Sequence, residues 1–297
     1  MTTIRRAAAL TAALMLCLCF GALAESTPTI SYLGPRGTYT EAATQWFFAD
    51  GGTLVPKETV NDAIADLLSG AADYAVIPQE NTLGGAVVGY VDALIEAEDA
   101  FVVGEVVLPI SQTLMGVPGA TLGDIKTVCS HAQGLVQSAQ WRAEHLPDAE
   151  AREMASTAAA ASYVAETGDK SVAAVAAPGA ASLYGLEVLQ ENVQISDANR
   201  TRFYVLSREP LADDACTRAV FILTCDGNRL DDFIVKLREA GLELSVLHDR
   251  PEGSRLGMYR YLIEVEDDTG IDEAQLEACA DEDARCAGRF DALEPAA

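Results

Sequence analysis

The chain reads as an α/β protein followed by a second, smaller βαββαβ unit, and three observations predict this. Short apolar runs alternate with helical segments from Thr29 to Leu206, as strands covered by helices do. Beyond Asp213 the order becomes strand, helix, strand, strand, helix, strand, a ferredoxin-like pattern. The 297 residues are 49% hydrophobic and 22% charged, which supplies core for about two domains of roughly 100–200 residues.

The first 24 residues stand apart. Arg5-Arg6, an apolar run from Ala7 to Ala22 and the small-residue pattern Ala22-Leu23-Ala24 before Glu25 match a secretory signal, with cleavage expected after Ala24. An uncleaved anchor is the weaker alternative, because the run is shorter than the roughly 20 residues of a spanning helix. The mature chain is therefore expected outside the cytoplasm, periplasmic or secreted.

The formal charge is −25, and losing Arg5 and Arg6 takes it two units lower, to −27. Such a field repels nucleic acid and anionic membrane, which excludes both as partners. An anionic small molecule then has to be held by local Arg side chains and helix N-termini, since salt screens the global field beyond about 8–10 Å. Cys129, Cys216, Cys225, Cys279 and Cys286 follow no zinc spacing, so no metal is expected. Two readings stay open for them: buried thiols, or Cys216–Cys225 and Cys279–Cys286 pairs in an oxidising compartment.

Strands are predicted at Thr29–Leu33, Tyr74–Ile77, Phe101–Leu108, Thr113–Val117, Thr127–Cys129, Val172–Ala176 and Phe203–Leu206. Helices are predicted near 39–49, 60–69, 86–97, 131–145, 157–167 and 178–184. Thr38 with Glu41, and Ser130 with Gln133, have capping-box spacing, and Ser156 suits a simple cap. In the second unit the strands are Ala219–Thr224, Glu243–His248, Met258–Glu266 and Ala284–Phe290. Its helices are Leu230–Ala240, closed by Gly241, and Asp272–Ala280.

Polar side chains gather at strand mouths, where α/β proteins present ligand groups. Asn199, Thr201 and Arg202 precede the apolar strand from Phe203 to Leu206. Thr201 is read either as a ligand group or as a cap on the strand. Alternation along an extended segment puts Arg202 on the face opposite Thr201. Arg202 is then either a bidentate carboxylate ligand or a wall residue paired with an acid. Asn81, in Pro78-Gln79-Glu80-Asn81-Thr82, is either a donor to a ligand or a turn former before Gly84-Gly85.

Three further strings complete the set: Gly34-Pro35-Arg36-Gly37-Thr38-Tyr39-Thr40-Glu41, Ser130-His131-Ala132-Gln133 and Ser156-Thr157-Ala158-Ala159-Ala160. With Glu80-Asn81 and Asn199-Arg200-Thr201-Arg202-Phe203, in this order, they resemble the prephenate dehydratase family from about Thr29 to Leu206. The remainder resembles the ACT regulatory domain. The resemblance implies a catalytic domain over 29–208, shaped like a periplasmic binding protein. One lobe would be 29–107 plus 192–208, the other 108–191, and an ACT-like domain would span 217–292.

It also implies the chemistry: cofactor-free conversion of prephenate to phenylpyruvate, with loss of CO₂ and the ring hydroxyl, for phenylalanine biosynthesis. By resemblance Thr201 protonates or hydrogen-bonds the leaving hydroxyl, with Asn81 and Glu80 beside it. Thr38, Ser130, His131, Gln133, Ser156, Thr157, Asn199, Arg202 and Phe203 would bind substrate. Two helix ends, after Ser130 and after Ser156, are expected across the cleft from each other, holding the dianion. Ala132 replaces the family's Pro, which loosens that first turn.

In the second unit only Gly227, Leu230, Arg250 and Pro251 match the family's phenylalanine-sensing motifs. That argues for homodimer assembly and against phenylalanine as effector. Three alternatives remain: arogenate as substrate, an exported binding protein for a small anionic metabolite, and an extracellular amino-acid sensor.

Overall fold

Strand pairing sorts the described residues into three sheets. The computed structural model describes residues 27–49, 51–211 and 216–294, so the expected signal and its cleavage point lie outside the described residues.

The first sheet begins with β1 (Thr29–Leu33), β2 (Thr53–Lys57), β3 (Tyr74–Asn81), β4 (Gly85–Ala86) and β5 (Phe101–Pro109). Helices α1 (Tyr39–Phe47), α2 (Val60–Ser69) and α3 (Val88–Glu96) connect them. The second sheet holds β6 (Thr113–Gly116), β7 (Thr127–Ser130), β8 (Glu150–Glu153), β9 (Val172–Ala176) and β10 (Glu187–Gln190), in the order β10-β6-β9-β7-β8. Its helices are α4 (Ala132–Gln137), α5 (Ala139–His145), α6 (Thr157–Thr167) and α7 (Gly179–Tyr184).

The chain then crosses back. β11 (Arg200–Ser207) inserts between β3 and β5, antiparallel to both. This return sets Thr201 opposite Asn81 and Arg202 opposite Glu80. The register shifts between Arg202 and Phe203, so the ladder is irregular beside these pairs.

The C-terminal domain is a four-stranded antiparallel sheet of β12 (Arg218–Cys225), β13 (Glu243–Pro251), β14 (Tyr259–Glu266) and β15 (Ala284–Phe290), ordered β13-β14-β12-β15. With α8 (Gly227–Glu239) and α9 (Glu273–Ala278) it follows the expected βαββαβ order. A last strand, β16 (Ala292–Leu293), leaves this domain and pairs with β5 at the edge of the first sheet.

The C-terminal sheet is covered on both faces. Phe221, Leu223, Ile263 and Val265 pack with Phe233 and Leu237 of α8. Val220, Ile222, Leu262 and Phe290 join Leu67, Leu94 and Tyr204 of the first sheet and its helices in one core. This explains the unbroken apolar run from Ala219 to Leu223, because a strand buried on both sides needs no polar alternation. Gly288 makes the docking possible: its φ is +136°, and a Cβ there would lie 2.1 Å from the Val102 carbonyl oxygen.

Two expectations about helices change. The segment 131–145 is two helices broken at Ser138, whose hydroxyl donates to Gly134 O at 2.7 Å, while Arg142 Nη2 satisfies the released Leu135 carbonyl at 2.8 Å. Ser130 is not the cap of this helix. It ends β7, and His131 caps instead, accepting from Gln133 N through Nδ1 at 3.4 Å. Cys225 and Cys279 are buried free thiols, so of the two readings left open for the cysteines the buried-thiol one holds and neither pair is made.

Candidate active site

The first and second sheets face each other over a cleft of about 1000 Å³. Its first wall carries Thr38, Asn81, Thr201 and Phe203; its second carries His131, Gln133, Ser156 and Thr157. Apolar surface from Tyr39, Tyr90, Ile110, Leu183 and Phe203 fills much of the remainder.

The polar centre is built around Asn81. Its Nδ2 donates to Thr201 Oγ1 at 2.9 Å and to Asn199 Oδ1 at 2.8 Å. Its Oδ1 accepts from the backbone amides of Leu83 at 3.0 Å and Gly84 at 3.2 Å. Those two amides can only donate, so they fix which end of the Asn81 side chain is oxygen. The nitrogen must then face Thr201, and the Thr201 hydroxyl, already accepting from it, keeps its own proton to give elsewhere.

Side chains tie the two walls together across the cleft. Gln133 Nε2 reaches across to Asn81 Oδ1 at 3.4 Å, and Tyr184 Oη donates to Arg36 O at 2.8 Å. Gly37 lies under the second contact with φ +83°, and a Cβ on it would sit 2.9 Å from Leu183 Cδ2. Only glycine suits both the conformation and the approach. Tyr39 is held by a hydrogen bond from its hydroxyl to Ser111 O, and burial pushes its acidity down, its pKa up to about 12.

Two cations line the cleft. Arg36 is largely exposed, with Nε 3.6 Å from Glu41. Lys57, at the end of β2, binds Asp66 at 2.5 Å. Sequence reasoning missed Lys57 together with its strand. Gln112 is a second omission: it is 4% exposed, donates from Nε2 to Gln137 at 2.9 Å, and leaves its buried Oε1 without a partner.

A sequence model described as prephenate dehydratase matches residues 30–211. The prephenate dehydratase of Amycolatopsis methanolica is 37% identical over 243 residues, covering 80% of this chain and 78% of that one. This chain belongs to the prephenate dehydratase family. The enzyme from Lactococcus lactis subsp. lactis is 33% identical over 242 residues, covering 80% and 86%. Among solved structures, prephenate dehydratase from Arthrobacter aurescens in complex with L-Phe has a TM-score of 0.79 at 29% identity, covering 89% of this chain and 90% of that one. GqqA, described as a novel type of quorum quenching acylase, has the same TM-score and identity and is covered over 98% of its length.

Seen as a dehydratase cleft, the structure corrects several expected contacts. Arg202 and Glu80 turn to the opposite face of the sheet, where Arg202 Nη1 lies 3.4 Å from Glu80. Strand alternation is the reason. Ser130 is fully buried and donates to Val175 O at 2.6 Å, so its hydroxyl serves the second sheet rather than the cleft. Asn199 sits behind Asn81, 1% exposed, with Nδ2 unpartnered.

The helix ends are also placed differently. The ends after His131 and Ser156 belong to one wall, since both follow strands of the second sheet. The end facing them is that of α1, capped by Thr38, which accepts from Glu41 N at 3.3 Å. Ser156 caps as expected, accepting from Ala159 N at 2.9 Å.

Of the residues matched to phenylalanine sensing, Gly227 opens α8 and Leu230 packs on the C-terminal core. Arg250, near the end of β13 at Pro251, is engaged by Asp92 of α3 through two hydrogen bonds of 2.6 and 3.0 Å.

Proposed function

We propose that Thr201 and Asn81 carry a cofactor-free lyase reaction on prephenate. The observation that carries the reading is the fixed polarity of the pair: Asn81 donates to Thr201, leaving the Thr201 proton for the departing ring hydroxyl. In the reaction the bond to the ring carboxylate breaks, its electron pair enters the ring, and CO₂ leaves. The ring hydroxyl takes the Thr201 proton and departs as water, and Thr201 regains a proton from solvent. Aromatisation drives the step, so the protein has to orient the substrate and assist one leaving group.

Lys57, Arg36 and the N-terminal end of α6 are the groups we assign to the substrate carboxylates, against a chain charge of −25. Glu80 and Arg202 support the sheet behind. Export rests on residues 5–24, and it places the same chemistry outside the cytoplasm. We assign the C-terminal domain to homodimer assembly rather than phenylalanine sensing. Supporting this, β13 is a sheet edge bearing exposed Leu244 and Leu247, while Arg250 is held by Asp92.

The test is phenylpyruvate formation by residues 25–297 given prephenate, with arogenate in parallel. Turnover of prephenate is expected; tight binding of prephenate without turnover would move the assignment to a binding protein. A second reading, cleavage of an acyl amide, is favoured by the likeness to GqqA and by the large apolar share of the cleft wall. Release of free amine from a long-chain N-acyl amide, absent in a Thr201→Ala variant, would support that reading. It ranks second because Thr201 contacts an amide nitrogen rather than a general base.

A further inference from the structure

Behind the cleft, five charged side chains meet in a buried node that the reaction itself does not use. Arg202, with its side chain 16% exposed, lies between Glu105 at 0% and Glu264 at 1%. Its Nη2 donates to both Glu264 oxygens at 2.6 Å, and its Nε donates to Glu105 Oε2 at 2.9 Å. The Tyr204 hydroxyl donates to Glu264 Oε2 at 2.6 Å, and Arg218 Nη1 donates to Glu105 Oε1 at 2.8 Å. Glu80 completes the node at 3.4 Å from Arg202.

The node spans two domains. Glu80, Glu105, Arg202 and Tyr204 come from three adjacent strands of the first sheet, while Arg218 and Glu264 come from the C-terminal sheet. It also grips the chain neighbours of both site residues. Arg202 follows Thr201, Glu80 precedes Asn81, and the register pairs Thr201 with Asn81 and Arg202 with Glu80. One pair faces the cleft and the next faces the node. The register shift after Arg202 interrupts the ladder here, so backbone pairing alone fixes this corner less firmly.

We propose that Glu264 of the C-terminal domain is a positioning residue for the dehydratase reaction: by anchoring Arg202 it holds Thr201 and Asn81 at working geometry. The inference rests on the dehydratase reading and on Thr201 acting in it. Glu264 suits the task because it lies on β14, an inner strand of its sheet, and Arg202 and Tyr204 fix its carboxylate from two sides. A displacement of about 1 Å at a reacting group can cost on the order of 10²-fold in rate, so loosening this anchor is felt in turnover rather than in binding.

The experiment compares Glu264→Gln, Glu264→Asp and Asp92→Asn in the full chain. Gln keeps the volume and an acceptor for Tyr204, and it leaves Arg202 paired to Glu105. Asp92→Asn cuts a separate tie between the same two domains, to Arg250, and serves as the control for domain attachment. For prephenate, Glu264→Gln is expected to lower kcat by about tenfold with KM within about twofold. Glu264→Asp should recover part of the loss, and Asp92→Asn should keep both constants. Hydrogen exchange of the amides at 200–203 should speed up in Glu264→Gln alone.

A kcat for Glu264→Gln within about twofold of the parent overturns the proposal, as does an equal loss in Asp92→Asn. If Glu264→Gln fails to fold, Tyr204→Phe decides the question, since it removes only the hydroxyl that fixes Glu264. A lower kcat at unchanged KM supports the role, and an unchanged kcat overturns it. If the parent chain shows no turnover, the dehydratase reading fails instead. Exchange at 200–203 then decides the positioning: faster in Glu264→Gln supports it, unchanged overturns it.

Discussion

Asn81 gives the site its direction. Two backbone amides hold its oxygen, so its nitrogen can only serve Thr201 and Asn199, and a threonine hydroxyl that accepts on one side is left to donate on the other. Ser130 shows the opposite case, a motif residue whose hydroxyl is spent on Val175 O inside the second sheet. Ser130→Ala should therefore cost about 1–2 kcal/mol in an unfolding titration, because a buried carbonyl loses its donor. Its KM for prephenate should stay within about twofold, a ratio that corresponds to less than 1 kcal/mol. A large rise in KM would return Ser130 to the cleft. The sequence made Thr38, Asn81, His131, Gln133, Ser156, Thr157, Thr201 and Phe203 legible through their strings. The resemblance put Ser130, Glu80, Asn199 and Arg202 in the site, although strand alternation already offered Arg202 as a wall residue paired with an acid, because a motif string carries no side-chain direction and the end of β7 lay one residue further on than expected.

At the scale of elements, sequence reading missed β2, β8, β10 and β16, which are sheet edges, and the two-residue strand β4, which pairs only with β3. Edge strands bury little and tolerate proline and charge, so Thr53–Lys57 contains Pro56 and Glu150–Glu153 is exposed throughout. Missing β2 meant missing Lys57, which the edge delivers to the cleft. The Asp66 carboxyl that holds Lys57 sits below the usual range, first because Lys57 donates to it; burial opposes this, and the hydrogen bond from Ser31 and the Lys57 charge add to the lowering. With the folded value depressed, the stabilisation is complete above the unfolded value near about 3.9 and is lost as pH falls through the lower folded one. The thermal midpoint of the parent should exceed that of Asp66→Asn by a constant margin from about pH 5 to 7, and the margin should close below about pH 4. A margin that persists at pH 3 would show that the ion pair is not its source.

On the scale of the whole molecule, the apolar pattern of the C-terminal domain was readable, including its βαββαβ order, but its docking was not. Val220, Ile222 and Leu262 look like ordinary strand residues in sequence, and only the approach at Gly288 and the node at Glu264 reveal that they pack on the first sheet. That docking covers the sheet face away from α8 and α9, and the β13 edge is the surface we propose for self-association. Leu247, 41% exposed on that edge, is the test. Leu247→Asp should convert the proposed dimer to a monomer in light scattering, because a charge at a paired edge is costly, while prephenate turnover persists. A variant that remains dimeric would place the interface elsewhere.

The central claim is that the Thr201 hydroxyl assists departure of the ring hydroxyl, and the kcat of Thr201→Ala and Thr201→Ser on prephenate tests it most directly. The account predicts a loss of about 10²-fold or more for Ala, partial retention for Ser, and thermal midpoints close to the parent for both. A Thr201→Ala enzyme that is folded and turns over prephenate within about twofold of the parent rate would contradict it.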